Sequence, residues 1–182
     1  VAEDGNVMAE GKLKIVGKEW QRYTLALNTA NKKRTKMYGD KAVNCRLVVA
    51  GKKDATVALD MISLFPHDTY KGHGLRKDLA EAIAELKPKF VRFPGGCMSH
   101  GQGIDNIYHW NHTIGPLQDR KPDKNIWNYH QTRGLGFYEY FQMCEDMGAE
   151  PLPVLAAGVP CQNSRANAEG YGGQQGGIPI SK

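Results

Sequence analysis

At 182 residues the chain is long enough for one domain with a real core, or for parts of two. Its 41% apolar and 24% charged residues fit a globular protein and argue against disorder, and no apolar run reaches bilayer-spanning length. A net charge of +5 raises nucleic acid as a partner, but the basic residues are scattered. The densest group, Lys32, Lys33, Arg34 and Lys36, reads as a solvated hairpin tip with no aromatic-interleaved basic motif beside it.

The chain opens at Val1 without a signal-peptide pattern, and Ile178 to Lys182 break off with no terminal element. The expectation is an internal piece of a longer protein, which leaves compartment and oligomeric state open. Four cysteines, Cys45, Cys97, Cys144 and Cys161, are widely spaced with no Cys-x-x-Cys pair, which argues against zinc and dithiol redox motifs. Cys144, on a helix face, is most simply a small core residue.

Residues 1–66 are expected to be β-structure. Trp20 to Leu27 alternates Tyr23, Leu25 and Leu27 with polar or small neighbours. Ala42 to Ala50 and Ala55 to Leu64 repeat the pattern between Gly, Lys, Asn or Asp residues. Strands at this spacing suggest the later part of a β-sandwich or jelly roll, with its first half before Val1. The polar, glycine-rich join Asp68 to Gly74 then changes the character of the chain.

From Leu75 to Leu86 apolar residues recur at 75, 79, 82, 83 and 86, which predicts an amphipathic helix stopped by Pro88. The apolar run Phe90-Val91-Arg92-Phe93 predicts a buried strand ending at Pro94-Gly95-Gly96-Cys97. A long loop rich in Trp, Tyr, His and Gly follows, better suited to facing a ligand than to linking elements. A second helix is expected over residues 135–147, capped at Gly148, and a second strand over residues 152–157. Pro151 and Pro153 sit at that strand's entry, with the ladder beginning near Val154. Helix feeding strand, with chemistry in the loop after it, is the grammar of a parallel α/β barrel. The expected fold is therefore α/β: a partial (β/α)8 TIM barrel over residues 67–182, preceded by the sandwich piece over residues 1–66.

None of the glycine clusters fits a dinucleotide or phosphate fingerprint, and no Walker lysine follows any of them. No cofactor and no metal are expected. Arg92 is more informative, because an arginine in an apolar strand calls for an acidic or polar partner. That partner is either an active-site carboxylate or a structural ion pair at the barrel rim. Gly95 and Gly96 let backbone approach a ligand, or simply make a tight turn. With no base identifiable nearby, Cys97 reads as a pocket-lining residue rather than a nucleophile. Trp110, Trp127 and Tyr129 offer flat faces for stacking on sugar rings, or else pack the loop onto the barrel. Asn111-His112-Thr113 matches a glycosylation sequon to which no weight is given.

Six stretches occur in order: Ser63-Leu64-Phe65-Pro66, Gly74 to Leu79, Arg92 to Cys97, Asn111 to Pro116, Gly134 to Tyr140 and Glu145 to Pro151. Together they resemble the α-L-arabinofuranosidases of glycoside hydrolase family 51, over roughly residues 60–165. Residues 1 to about 60 resemble the later strands of the carbohydrate-binding-like jelly roll that one branch of that family inserts near the start of its barrel. The resemblance implies a retaining hydrolase that removes terminal arabinofuranose from arabinan and arabinoxylan with two glutamates. The acid/base glutamate of the family follows an asparagine, and this chain contains no Asn-Glu dipeptide. By this reading both catalytic glutamates lie outside it, and it contains no catalytic residue.

What the resemblance carries over is a sugar-facing set. Arg92 would brace the catalytic carboxylates. Gly95, Gly96 and Cys97 would form the turn beside the arabinose site, where another branch has asparagine in place of Cys97. Trp110 and Asn111 would border the substrate cleft. His100 joins the set, although Met98-Ser99-His100-Gly101 departs from the Val-Glu-Gly form of some members. The implied partner is an arabinose-containing oligo- or polysaccharide, with neither nucleic acid nor membrane involved. A non-catalytic carbohydrate-binding protein is the alternative, separated by whether the reading frame continues to an Asn-Glu strand and a second glutamate.

Overall fold

The computed structural model describes residues 7–29, 45–51, 54, 56–102, 106–158 and 160–161. Two compact units divide between Ala58 and Leu59. In the first, the described residues form no helix or strand. The strands expected at Trp20 to Leu27, over 45–50 and over 56–64 are therefore absent from the described residues, and residues 42–44 lie outside them. Strands are stabilised by pairing and by one covered face, whereas here Trp20, Val48 and Ile62 are largely exposed. Among the described residues, the Tyr23 hydroxyl accepts from Val16 N–H at 3.1 Å and spans the bend over 17–19.

The second unit carries the elements expected around the strand Phe90–Phe93. Helix α1 spans Lys77–Glu85 and strand β1 Phe90–Phe93. Five residues of helix, α2, follow at Gly96–His100. A hairpin of two short strands, β2 (Asp123–Lys124) and β3 (His130–Gln131), stands in the long loop. Helix α3 then covers Phe137–Met147, and strand β4 Glu150–Pro153. β4 lies parallel to β1 in the register Phe90 with Glu150 through Phe93 with Pro153. β1, α3 and β4 thus make one βαβ crossover, the repeating step of parallel α/β folds.

The second strand differs from expectation. Its ladder begins at Glu150, ahead of Val154, and contains both prolines. Glu150 N–H donates to Lys89 O at 2.9 Å, and Val154 N–H donates to the Phe93 carbonyl. Along a strand, successive N–H groups point to alternate sides. Pro151 and Pro153 therefore occupy the positions whose nitrogens face away from β1, and the β1 ladder loses nothing.

Helix α3 is held onto the sheet by an aromatic core. Phe93, Tyr108, Phe137 and Cys144 are buried together, with Val91, Met98 and Tyr140 against them. The Phe93 ring stacks on Tyr140 at 4.7 Å and meets Phe137 and Phe141 edge-on at 5.5 and 5.4 Å. Cys144 is a buried core residue, as its helical position suggests, and burial pushes its thiol pKa up. The α3 N-terminus is capped from a distance: Phe137 N–H donates to the Thr113 hydroxyl at 3.1 Å, while Glu139 accepts from Gly136 N–H at 2.9 Å. A Cβ on Gly136 would lie 1.9 Å from the Thr113 carbonyl oxygen, so only glycine lets the two segments touch. At the other end of α3, His73 Nδ1 lies 2.8 Å from the buried Asp146 carboxylate and ties down the 68–74 join.

Candidate functional site

In a parallel sheet the loops after the strands gather at one end, and in barrels that end carries the chemistry. Here the two segments meeting there are the turn after β1 and the chain after β4. Gly95 has φ +119°, a conformation open to glycine, and it starts the short helix α2. The Arg92 side chain lies over this turn: Cβ atoms built on Gly95 and Gly96 would stand 3.7 and 3.6 Å from its guanidinium nitrogens. At those distances a methyl group would still fit beside the cation, so glycine is required here by the backbone angle at Gly95 and not by the approach of Arg92.

Arg92 departs from expectation in one respect. Neither an acidic partner nor a structural ion pair accompanies it among the described residues, and it is exposed. An exposed guanidinium keeps its hydration, so the cost of burying an unpaired charge does not arise.

Two residues that were not singled out hold the turn in place. Ser99 is 1% exposed. Its hydroxyl donates to the Val154 carbonyl at 2.9 Å, and its own carbonyl accepts from Tyr108 N–H at 3.1 Å. One buried residue therefore joins α2 to the C-terminal end of β4 through its side chain and to the loop beyond through its backbone carbonyl. Cys161 N–H donates to Gly101 O at 2.9 Å, and Gly101 N–H to Cys97 O at 3.0 Å, so Cys97 and Cys161 lie either side of Gly101. A hydrogen bond with the Cys161 thiol, then burial, pushes the Cys97 pKa up. Cys97 is thus a protonated thiol at neutral pH, suited to lining a pocket and poorly suited to nucleophilic attack. His100 ends α2 half-buried.

The remaining candidates belong to the long loop. Trp110 and Asn111 sit in a single 3-10 turn, Trp110–Thr113. Trp110 is about half exposed, with its ring centroid 6.5 Å from Phe137, and Asn111 is exposed beside it. Burial, then the charge of Lys121 and the neighbouring His109, pushes the His112 pKa down, which keeps this turn free of imidazolium charge at neutral pH. Trp127 and Tyr129 do not pack onto the core: among the described residues the ring contact of each is with the other.

The loop's organiser is Arg120, with a side chain 4% exposed. It forks onto Glu139 at 2.9 and 2.7 Å and also donates to the carbonyls of Gly115, Arg133 and Gly134. Burial by itself raises the Glu139 pKa, but the hydrogen bonds from Arg120 and Gly136 N–H and the Arg120 charge outweigh it, and the net shift is downward. Among the described residues no three His, Cys, Asp or Glu side chains are grouped to hold a metal ion.

Residues 82–173, just over half the chain, match the family model described as the alpha-L-arabinofuranosidase 1 domain. The chain belongs to this family. The resemblance carried by the Arg92 to Cys97 and Gly134 to Tyr140 stretches is thereby borne out. An extracellular exo-α-L-arabinofuranosidase of Streptomyces chartreusis is 48% identical over 135 residues, covering 66% of this chain and 16% of that protein. α-L-Arabinofuranosidase 1 of Arabidopsis thaliana is 41% identical over 117 residues, covering 64% of this chain and 17% of that protein. Among solved structures, an arabinose-bound GH51 α-L-arabinofuranosidase superposes with a TM-score of 0.50 at 43% identity. That superposition covers 53% of this chain and 16% of the other. This arabinofuranosidase-family chain thus spans about a sixth of the length of those curated relatives.

Proposed function

We propose that the protein carrying this chain is a retaining α-L-arabinofuranosidase that releases terminal arabinofuranosyl groups from arabinan- and arabinoxylan-type polysaccharides. The observation that carries this reading is membership of the arabinofuranosidase family, with the Gly95–Gly96 turn beside Arg92 at the end of β1 as its local support. The βαβ step of the second unit is read as part of a (β/α)8 barrel over residues 67–182, and residues 1–66 as the later strands of a carbohydrate-binding-like sandwich. Retaining chemistry needs two carboxyl groups about 5–5.5 Å apart, one as nucleophile and one as acid/base. Both glutamates are assigned to parts of the protein outside this chain.

In this assignment Gly95, Gly96 and Cys97 line the arabinose pocket, His100, Trp110 and Asn111 border the cleft, and the exposed guanidinium of Arg92 braces the catalytic carboxylates. Its fork can hold a carboxylate by two parallel N–H···O bonds, which a lysine cannot copy. The test is full-length protein assayed with an aryl α-L-arabinofuranoside, the anomer of the first product being read by NMR. Release with retained configuration is expected. Arg92→Lys should lower kcat by roughly tenfold or more with little change in KM; an unchanged kcat would remove Arg92 from the assignment. No release by the full-length protein would overturn the functional reading itself.

A further inference from the structure

Trp127 and Tyr129 are 54% and 55% exposed. Their rings are tilted only 19° from parallel, with centroids 6.4 Å apart. Aromatic side chains usually bury such area, and one buried polar atom beneath the turn is also unanswered. Asn125 is buried, yet its Nδ2 has no hydrogen-bond acceptor among the described residues. Asn125 Oδ1 is engaged, accepting from the N–H groups of Trp127 at 3.0 Å and Tyr129 at 3.3 Å. One asparagine therefore fixes the backbone on both sides of Asn128 and leaves a donor over.

The turn is also anchored. Asn106 Nδ2 donates to Asp123 Oδ2 at 2.9 Å and to Lys124 O at 2.8 Å, while Asn106 Oδ1 accepts from Gln102 N–H at 3.0 Å. Arg133 pairs with Asp123 at 3.3 Å and lies over the Tyr108 ring at 4.0 Å. These contacts tie the β2–β3 hairpin to the segment just after Gly101. The two rings are thus held ready on the same loop as the sugar-facing turn, so little ordering remains to oppose binding.

We propose that Trp127 and Tyr129 form a stacking platform for a sugar ring of the polysaccharide chain that bears the arabinosyl group. The occupant follows from the surroundings. In sequence the rings are flanked by exposed Lys124, Asn128 and His130, with half-buried Ile126 as the one aliphatic residue between Lys124 and His130. Flat apolar faces with a hydrogen-bonding rim match a sugar, whose C–H face is apolar and whose edge carries hydroxyls. A membrane or a protein hot spot would call for continuous apolar surface. The platform rests on the carbohydrate reading above and adds to it a second point of contact, away from the arabinose pocket.

The experiment uses the full-length protein with Trp127→Ala, Tyr129→Ala and the ring-retaining Trp127→Phe. kcat/KM is measured on an arabinoxylo-oligosaccharide and on a 4-nitrophenyl arabinofuranoside, and oligosaccharide binding is followed by calorimetry. The ratio of the two kcat/KM values should fall at least tenfold in each alanine variant and stay within about threefold in Trp127→Phe. Oligosaccharide binding should weaken in parallel. An unchanged ratio in folded alanine variants, or an equal loss with Trp127→Phe, would overturn the platform. Should the wild type hydrolyse neither substrate, the glycosidase reading fails, and the calorimetry alone then decides the platform: weakened oligosaccharide binding in the alanine variants supports it and unchanged binding overturns it.

Discussion

A cysteine just after a strand end invites assignment as a nucleophile, and Cys97 shows why its protonation state decides the matter. Its thiol is shifted upward first by the hydrogen bond with Cys161 and then by burial. A raised pKa keeps the thiol protonated through neutral pH and delays the reactive thiolate to higher pH. The midpoint of Cys97 alkylation by iodoacetamide should therefore lie above that of an ordinary cysteine, and Cys161→Ala should move it down. An ordinary midpoint that ignores Cys161 would mean the two thiols are not in contact. Cys97 was legible in the sequence because it stands in the strand-ending motif, whereas Cys161 and Ser99 were not. Their partners, Gly101 and Val154, are brought near only when β1 and β4 lie side by side. Cys161, like Cys97, follows the end of a strand, and that shared placement was the one clue available.

At the scale of elements, local pattern sufficed where an element's own residues set its limits. Strand β1 has the expected bounds, although only Phe93 is buried and Phe90 and Arg92 are exposed where a buried strand was expected, and α3 ends before Gly148 as expected. Pattern misjudged β4 because a proline's tolerance depends on which side its neighbour lies, a fact of pairing and not of composition. It also missed Arg120, whose partners are spread over Gly115, Arg133, Gly134 and Glu139. Removing that side chain leaves a partly buried carboxylate and several carbonyls without their donor, so Arg120→Met should cost about 3 kcal/mol in urea unfolding. A loss under about 1 kcal/mol would mean the loop is held by something else. The pH dependence follows from the same pair. Because the folded-state pKa of Glu139 is depressed, its contribution is present above the ordinary glutamate pKa and fades as pH falls through the folded value. Glu139→Gln should flatten the acid limb of the stability profile; an unaltered limb would assign acid sensitivity elsewhere.

At the scale of the whole chain, several acidic groups among the described residues of the second unit are committed to ion pairs. Glu139 is held by Arg120, Asp146 by His73, and Asp123 by Arg133 and Asn106. Glu150 stands at the opening of β4, opposite the end where barrels place their catalytic groups. The purified 182-residue chain is accordingly expected to release no chromogen from an aryl arabinofuranoside, and turnover above that of an Arg92→Ala control would refute the placement of both glutamates outside it. The prolines of β4 bear on how such a chain meets its neighbours. On the side facing away from β1, positions 151 and 153 present carbonyls but no N–H, so that edge can accept hydrogen bonds and cannot return them. A following strand must bring its own donors there. A second copy offering the same edge would set carbonyl against carbonyl, a built-in safeguard against the edge-to-edge stacking that leads to aggregation.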